Sequence, residues 1–244
     1  MKRVRRLFLD IETSPNIGVF WRPGYNLNLT SENIIKERAI ICAGWKWEGE
    51  KKVHVMTWDA EQNDRKLVVK LAALLHEAGE VVAHNGDRFD VRWIRGRALK
   101  HGVSISPHIT TVDTLKISRK YFELNSHRLN YLGQYLGLGG KIDTGRLGGL
   151  ELWKRVLIAN DREALSDMVR YNRRDVQLLA DVYEKLNTYF PAKTRVDSDM
   201  RLCPSCGARS MIVRGYQYSA AGRKSARMQC KECGKYHSMP ASKM

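Results

Sequence analysis

The stretch LFLDIETSP, Leu7 to Pro15, sets two acids one residue apart in an apolar run. Leu7, Phe8, Leu9 and Ile11 read as a buried strand. Alternate residues of a strand face the same way. Asp10 and Glu12 therefore project together, with Phe8 beside them, while Leu7, Leu9 and Ile11 face the other side. Neighbouring carboxylates repel, and burying them is costly unless a cation lies between them. The stretch alone admits an edge strand with a solvated face or a metal site, because Asp-x-Glu is too common to decide.

Working outward, strand one runs through RVRRLFLDIE, and Arg38–Trp47 and Lys51–Trp58 read as two more strands joined by a turn at Glu48-Gly49-Glu50. Arg65 to Gly79 has helical periodicity and ends at a glycine. EVVAHN reads as a short strand, followed by a helix from about Arg88 to Lys100. ITTVDT is another strand, and HRLNYLGQYLGL and the long run from Asp161 to Phe190 are helices. Strands followed by alternating helix and strand predict a mixed α/β sheet with helices packed on it. Residues 15–37, weakly periodic and holding Trp21, Tyr25 and several Asn, read as an irregular excursion. A polar stretch with a proline, 191–201, reads as a linker between a domain of residues 1–190 and a small module at 202–244.

The chain has 244 residues, with 42 Lys and Arg against 26 Asp and Glu, a net charge of +16. A surplus of that size suggests a polyanionic partner. No run of 18 apolar residues appears, which argues against a membrane span. The basic start MKRVRRLFLDIET is interrupted by Asp10 and Glu12, so it fails as a secretory leader and a cytoplasmic location is expected. Cys42, alone in AIICAGW, reads as a buried core thiol.

Two further stretches extend the acidic theme. AHNGDRFDVRW (Ala83 to Trp93) places Asp90 at a helix start directly after a strand; a cap by Asp87 is the plain structural reading of the first acid. MVRYNRRDVQLL (Met168 to Leu179) sets Tyr171 and Asp175 four apart, on one helix face, with Val169, Val176 and Leu179 as the buried stripe.

Asp10-x-Glu12, then Asn85-x-x-x-Phe89-Asp90, then Tyr171-x-x-x-Asp175 resembles the three exonuclease motifs of the DEDD superfamily, tyrosine subtype. This family has an RNase H-like fold and includes proofreading domains of DNA polymerases and RNase D-like nucleases. The likeness is greatest to family B polymerase exonuclease domains and their stand-alone relatives, and it spans about residues 4 to 190. SHRLNYLGQYLGLGGK (Ser126 to Lys141) is similar to the Lys/Arg-Leu…Leu-Gly segment before the third motif. In the histidine subtype a His stands five residues before the last Asp. Arg170 holds that place here, so His84 and His108 do not carry that subtype.

The resemblance implies a 3′→5′ exonuclease acting on DNA, at single-stranded ends, through two Mg2+ or Mn2+ ions. It would make Asp10 the bridging ligand, with Glu12 and Asp175 on the first metal, Asp90 on the second, and Tyr171 orienting the attacking water. These hard ions suit carboxylate oxygen, and such a pair can clamp an in-line displacement at phosphorus. Asn85 and Phe89 are expected to bind substrate, as is Trp21 by base stacking. Asp113, in TVDTLK, reads as a cap for the next helix. A ribonuclease, a structure-specific endonuclease on the same scaffold, and a non-catalytic nucleic-acid-binding protein are the alternatives.

CPSCG (Cys203 to Gly207) and CKECG (Cys230 to Gly234) are two Cys-x-x-Cys-Gly knuckles flanking a hairpin pattern. Cys203, Cys206, Cys230 and Cys233 are expected to hold one structural Zn2+ in a zinc ribbon. Tyr216, Arg223 and Lys224 in the ribbon mix aromatic and basic groups, as single-strand binders do. Nucleic-acid binding is favoured for this module; docking on a replication or repair complex is the other possibility.

Overall fold

The computed structural model describes residues 4–22, 24, 29–139 and 150–244. The run around Asp10 forms β1 (Arg6–Thr13). A short pair follows, β2 (Ile17–Gly18) and β3 (Ile34–Lys36), then β4 (Ile40–Trp47) and β5 (His54–Thr57). Helix α1 (Arg65–Glu77) leads to β6 (Glu80–Ala83), and α2 (Asp90–His101) to β7 (Thr111–Asp113). Next come α3 (Thr114–Tyr121), α4 (Leu129–Tyr135), α5 (Leu150–Leu157) and α6 (Arg162–Leu186). The chain closes with β8 (Met211–Tyr218), β9 (Lys224–Cys230) and β10 (Tyr236–Pro240).

Five strands make one mixed sheet in the order β5-β4-β1-β6-β7, with β1 antiparallel to β4 and parallel to β6. β1 is therefore central, which excludes a solvated edge. Its alternation feeds two cores. Leu7, Leu9 and Ile11 pack with Leu67 and Leu71 of α1 and Ile94 of α2. Phe8 faces Val176, Leu179 and Val182 of α6, and its ring meets Tyr183 edge-on at 5.4 Å. Burying each such side chain contributes about 1.5–3 kcal/mol. Asp10 and Glu12 thus point to the α6 side.

Local chemistry sets the helix boundaries. Asp161 caps α6 by accepting from the N–H groups of Glu163 and Ala164, and Asp113 caps α3 through Leu115 and Lys116, as its sequence context predicts. Asp87 does not cap α2: Phe89 occupies the cap position, and the Asp87 carboxylate instead accepts from Lys116 Nζ at 2.5 Å. Asp64, before α1, is fully enclosed. It accepts a fork from Arg97 (2.6 and 2.6 Å) and the N–H of Ile40 (2.9 Å), and lies 2.6 Å from His101 Nε2. Two departures from the sequence reading stand out. Part of 15–37 pairs as the β2–β3 ladder, and α5 was not anticipated. Tyr25, and Gly140 and Lys141 of the Ser126–Lys141 segment, lie outside the described residues.

The last three strands form their own sheet in the order β10-β9-β8, and the turns around it touch the main domain. Arg6 Nη2 donates to Ser205 Oγ at 2.7 Å, and Thr194 Oγ1 donates to Glu80 Oε1 at 2.6 Å. Lys235, 1% exposed, donates to the carbonyl and side-chain oxygens of Asn187 just beyond α6 (2.9 and 2.8 Å) and lies 3.3 Å from the Phe190 ring centroid. Residues before Cys203 also hold to the core, with Lys193 Nζ donating to the Thr111 carbonyl at 2.7 Å.

Candidate active site

The parallel pairing of β1 with β6 ends at Phe8–Val82, so β1 runs on without a partner on that edge. Its exposed backbone needs other acceptors. Asp90, the first residue of α2 and 2% exposed, supplies one: Oδ1 accepts the Ile11 N–H at 3.1 Å. The carboxyl is pushed up to about 7, chiefly by burial and further by the charge of Asp113, against the backbone N–H bonds it receives. The loop that delivers Asp90 is tightly built. A Cβ at Gly86 would collide with Ala83. Asn85 has φ 69°, a left-handed conformation that Asn tolerates better than most residues. Its N–H bonds Asp113 Oδ1 at 3.0 Å, and its carbonyl accepts from Arg88 and Phe89. Asn85 is thus placed by backbone demands as well as lying at the cleft.

On the other strand edge, Asp10 lies opposite Gly44 of β4. Asn172 of α6, fully buried, reaches over that glycine and donates from Nδ2 to Asp10 Oδ2 at 2.8 Å and to the Asp10 carbonyl at 3.2 Å. A Cβ at residue 44 would strike Asn172 Oδ1, so the glycine makes room for the contact. The sequence reading passed over Asn172. The available signal was its phase: it falls midway between Met168 and Val176, four residues from each, on the buried side of a helix.

One turn along α6, Asp175 is 5% exposed and Tyr171 is half-buried. Asp10 and Asp175 line one cleft of about 650 Å³, together with His84, Asn85, Arg119, His127 and Arg128. Glu12 is half-buried on the same face as Asp10, opposite Cys42 and beside a break in the β1–β4 register. Burial, then the charges of Glu12 and Asp10, push the Cys42 thiol well up. No three of the four acids bring carboxylate oxygens all within 4.8 Å of one another. Among the described residues, the group of three or more candidate ligands whose donor atoms all lie within 4.8 Å is the four cysteines. Asp10 and Asp90 instead give oxygens to Asn172 and Ile11.

The other expected substrate contacts are spread out. Phe89 is 36% exposed, with its ring 6.0 Å from that of Trp93. Trp21 is fully exposed and does not line the carboxylate cleft. Tyr216 and Tyr218 lie exposed on β8, with Lys224 Nζ 4.2 Å above the Tyr216 ring; Arg223 is exposed in the turn before β9.

Cys203 and Cys233 bring their sulfurs to 3.6 Å, as do Cys206 and Cys230. Sulfurs held tetrahedrally at about 2.3 Å from a zinc ion lie about 3.8 Å apart. Geometry and soft donor chemistry both fit Zn2+. The carboxylate set is the opposite kind, all hard oxygen, and fits Mg2+ or Mn2+ by donor type. No helix among the described residues is long and apolar enough to cross a membrane.

No curated protein matches the chain in sequence. In structure it is similar to the family B DNA polymerase of the hyperthermophilic archaeon Pyrobaculum calidifontis, at 15% identity with a TM-score of 0.53. The alignment covers 91% of this chain and 32% of the polymerase, so the chain spans about a third of that protein's length. A family model for the RNase H superfamily matches residues 29–187, which hold most of the main sheet and all of α1 to α6. The mixed sheet with flanking helices and this match agree, and the chain belongs to the RNase H superfamily.

Proposed function

We propose that the chain is a metal-dependent 3′→5′ exonuclease that hydrolyses phosphodiester bonds of DNA, with single-stranded ends as its substrate. The observation that carries this reading is the meeting of β1, the start of α2 and the middle of α6. There Asp10 is held by Asn172, Asp90 is held by Ile11, and Asp175 shares a cleft with Asp10. A likeness in fold to a DNA polymerase favours DNA over RNA. Two Mg2+ or Mn2+ ions held by Asp10, Glu12, Asp90 and Asp175 would supply activation of water and stabilise the leaving 3′ oxygen.

The chain's own groups do the remaining work. Tyr171, one turn from Asp175, orients the attacking water. Arg119, Arg128, His84 and His127 line the cleft and offer donors to the phosphate that must enter it. The buried Asp90, pushed up to about 7, carries a proton part of the time at neutral pH and must give it up to act as an anionic ligand. On the module at 202–244, the Tyr216–Lys224 pair suits stacking and charge contact with a passing strand.

A time course on 5′-labelled single-stranded DNA and matched RNA, with Mg2+ or Mn2+, tests the proposal. The expected result is a ladder of 3′-shortened DNA that Asp10→Ala abolishes. A ladder confined to RNA would replace the substrate, and cleavage by Asp10→Ala as fast as wild type would overturn the mechanism.

A further inference from the structure

A second concave surface lies outside the carboxylate cleft. Arg92, Gly96 and Lys100 succeed one another at four-residue steps along the outer face of α2, about 6 Å apart along the axis, and Arg88 stands two residues before the helix. All four are exposed, and a Cβ at Gly96 would meet nothing, so the middle of the row is open. With Arg38 from the segment before β4 they line a groove of about 580 Å³, in which Glu37 is the acidic member. Arg97 also reaches this groove, but its charge is spent on Asp64. Among the described residues no carboxylate lies within ion-pair distance of Arg38, Arg88, Arg92 or Lys100.

The groove adjoins a second one. The Arg38 guanidinium lies over the Trp93 ring at 4.7 Å, and Trp93 also borders an adjoining groove of about 500 Å³ that reaches Phe89 and Thr13. Phe89 precedes Asp90, and Thr13 follows Glu12. The two grooves share Arg38 and Trp93, and together they run from the residues next in sequence to Glu12 and Asp90 along some 15 Å of α2 to Lys100. Exposed cations with no ion-pair partner among the described residues, in a concave track, with a stacked Arg–Trp pair, are complementary to a sugar–phosphate backbone.

We propose that this groove holds the phosphate backbone of a single DNA strand extending away from the carboxylate site. The binding itself stands on the groove; only the direction of the strand rests on the exonuclease reading.

The test is fluorescence anisotropy with a labelled single strand of about 20 nucleotides, titrated across salt in the Asp10→Ala background so that binding is read without turnover. Arg88→Ala/Arg92→Ala/Lys100→Ala is compared with Arg65→Ala/Lys66→Ala/Lys70→Ala, which removes the same charge from exposed positions of α1. The groove variant is expected to bind at least ~10-fold more weakly at moderate salt, with the slope of log affinity against log salt reduced by about 2, at about 0.7 per lost contact. The α1 variant is expected to keep the wild-type slope. Equal losses in both would reduce the effect to net charge and overturn the proposal, as would an unchanged slope in the groove variant. If the slope falls while the intact chain hydrolyses nothing, the groove stands and the exonuclease reading fails. Hydrolysis with an unmoved slope gives the reverse.

Discussion

Asn172 bonds the Asp10 carboxylate at 2.8 Å from a fully buried position, so it fixes where that carboxylate can point. Partners that orient a metal ligand are typically worth 10–100-fold in metal affinity or activity. Asn172→Ala is therefore expected to lower the rate about 10–100-fold and to raise the Mn2+ concentration at half-activity. An unmoved metal midpoint would reduce the residue to packing. Gly44→Ala should reproduce the effect without removing any polar group, because its methyl would displace the same side chain, along with Val176. The acids and Tyr171 were picked out from the sequence by the order and spacing of three motifs that resemble a known set, each weak alone. Asn172 was not, because a helical Asn carries no contrast of its own and its partner is 162 residues away. Asn85 was legible as a motif residue, but its left-handed backbone was not.

Among the elements, Asp64 joins the start of α1 to β4 and α2 through one carboxylate. Burial alone would raise its pKa; the Arg97 fork, the Ile40 N–H and His101 hold it below the usual aspartate range. A lowered folded value stabilises the fold above the unfolded pKa, and that gain fades as pH falls through the folded value. Asp64→Asn is expected to cost about 3 kcal/mol near pH 7, because the Arg97 charge loses its buried partner. The gap to wild type should narrow toward pH 3 in urea denaturation; a constant gap would show that packing, not charge, is at stake. Element type was readable from periodicity for β1, β4, α1, α2 and α6, whose apolar patterns are long. The β2–β3 ladder is too short to give a pattern, and it depends on pairing across the intervening loop. The cap of α2 was misread because Asp87 had a better partner in Lys116, a contact that only the tertiary fold creates.

At the scale of the whole molecule, the cysteine module is fastened to the main domain through Ser205 on Arg6 and Lys235 on Asn187, with Thr194 of the preceding stretch on Glu80. Zinc loss should therefore be felt beyond the module. Cys206→Ser, with zinc measured by elemental analysis, is expected to lower the Tm of the main transition by about 5–10 °C, as a loss of 2–3 kcal/mol does in a chain of this size. A main transition that stays in place would show the module to be an independent passenger. The four cysteines announced their clustering by spacing alone, since two Cys-x-x-Cys knuckles are the ligand pattern of a closed tetrahedral site. Nothing in the sequence announced Lys235 as the fastening, because a lysine in a basic tail reads as surface.

That fastening bears on how the protein can be divided. A fragment ending near residue 190 looks like the natural minimal unit, since it keeps every acid and Tyr171. Yet Arg6 and Glu80, each no more than 5% exposed, are covered there by Ser205 and Thr194, and Phe190 is roofed by Lys235. Cutting the chain at that point would bare an ion pair and an aromatic cluster at the root of the very strand that carries Asp10. A shortened version would begin with a wounded core, and its inactivity would say little about the chemistry of its acids.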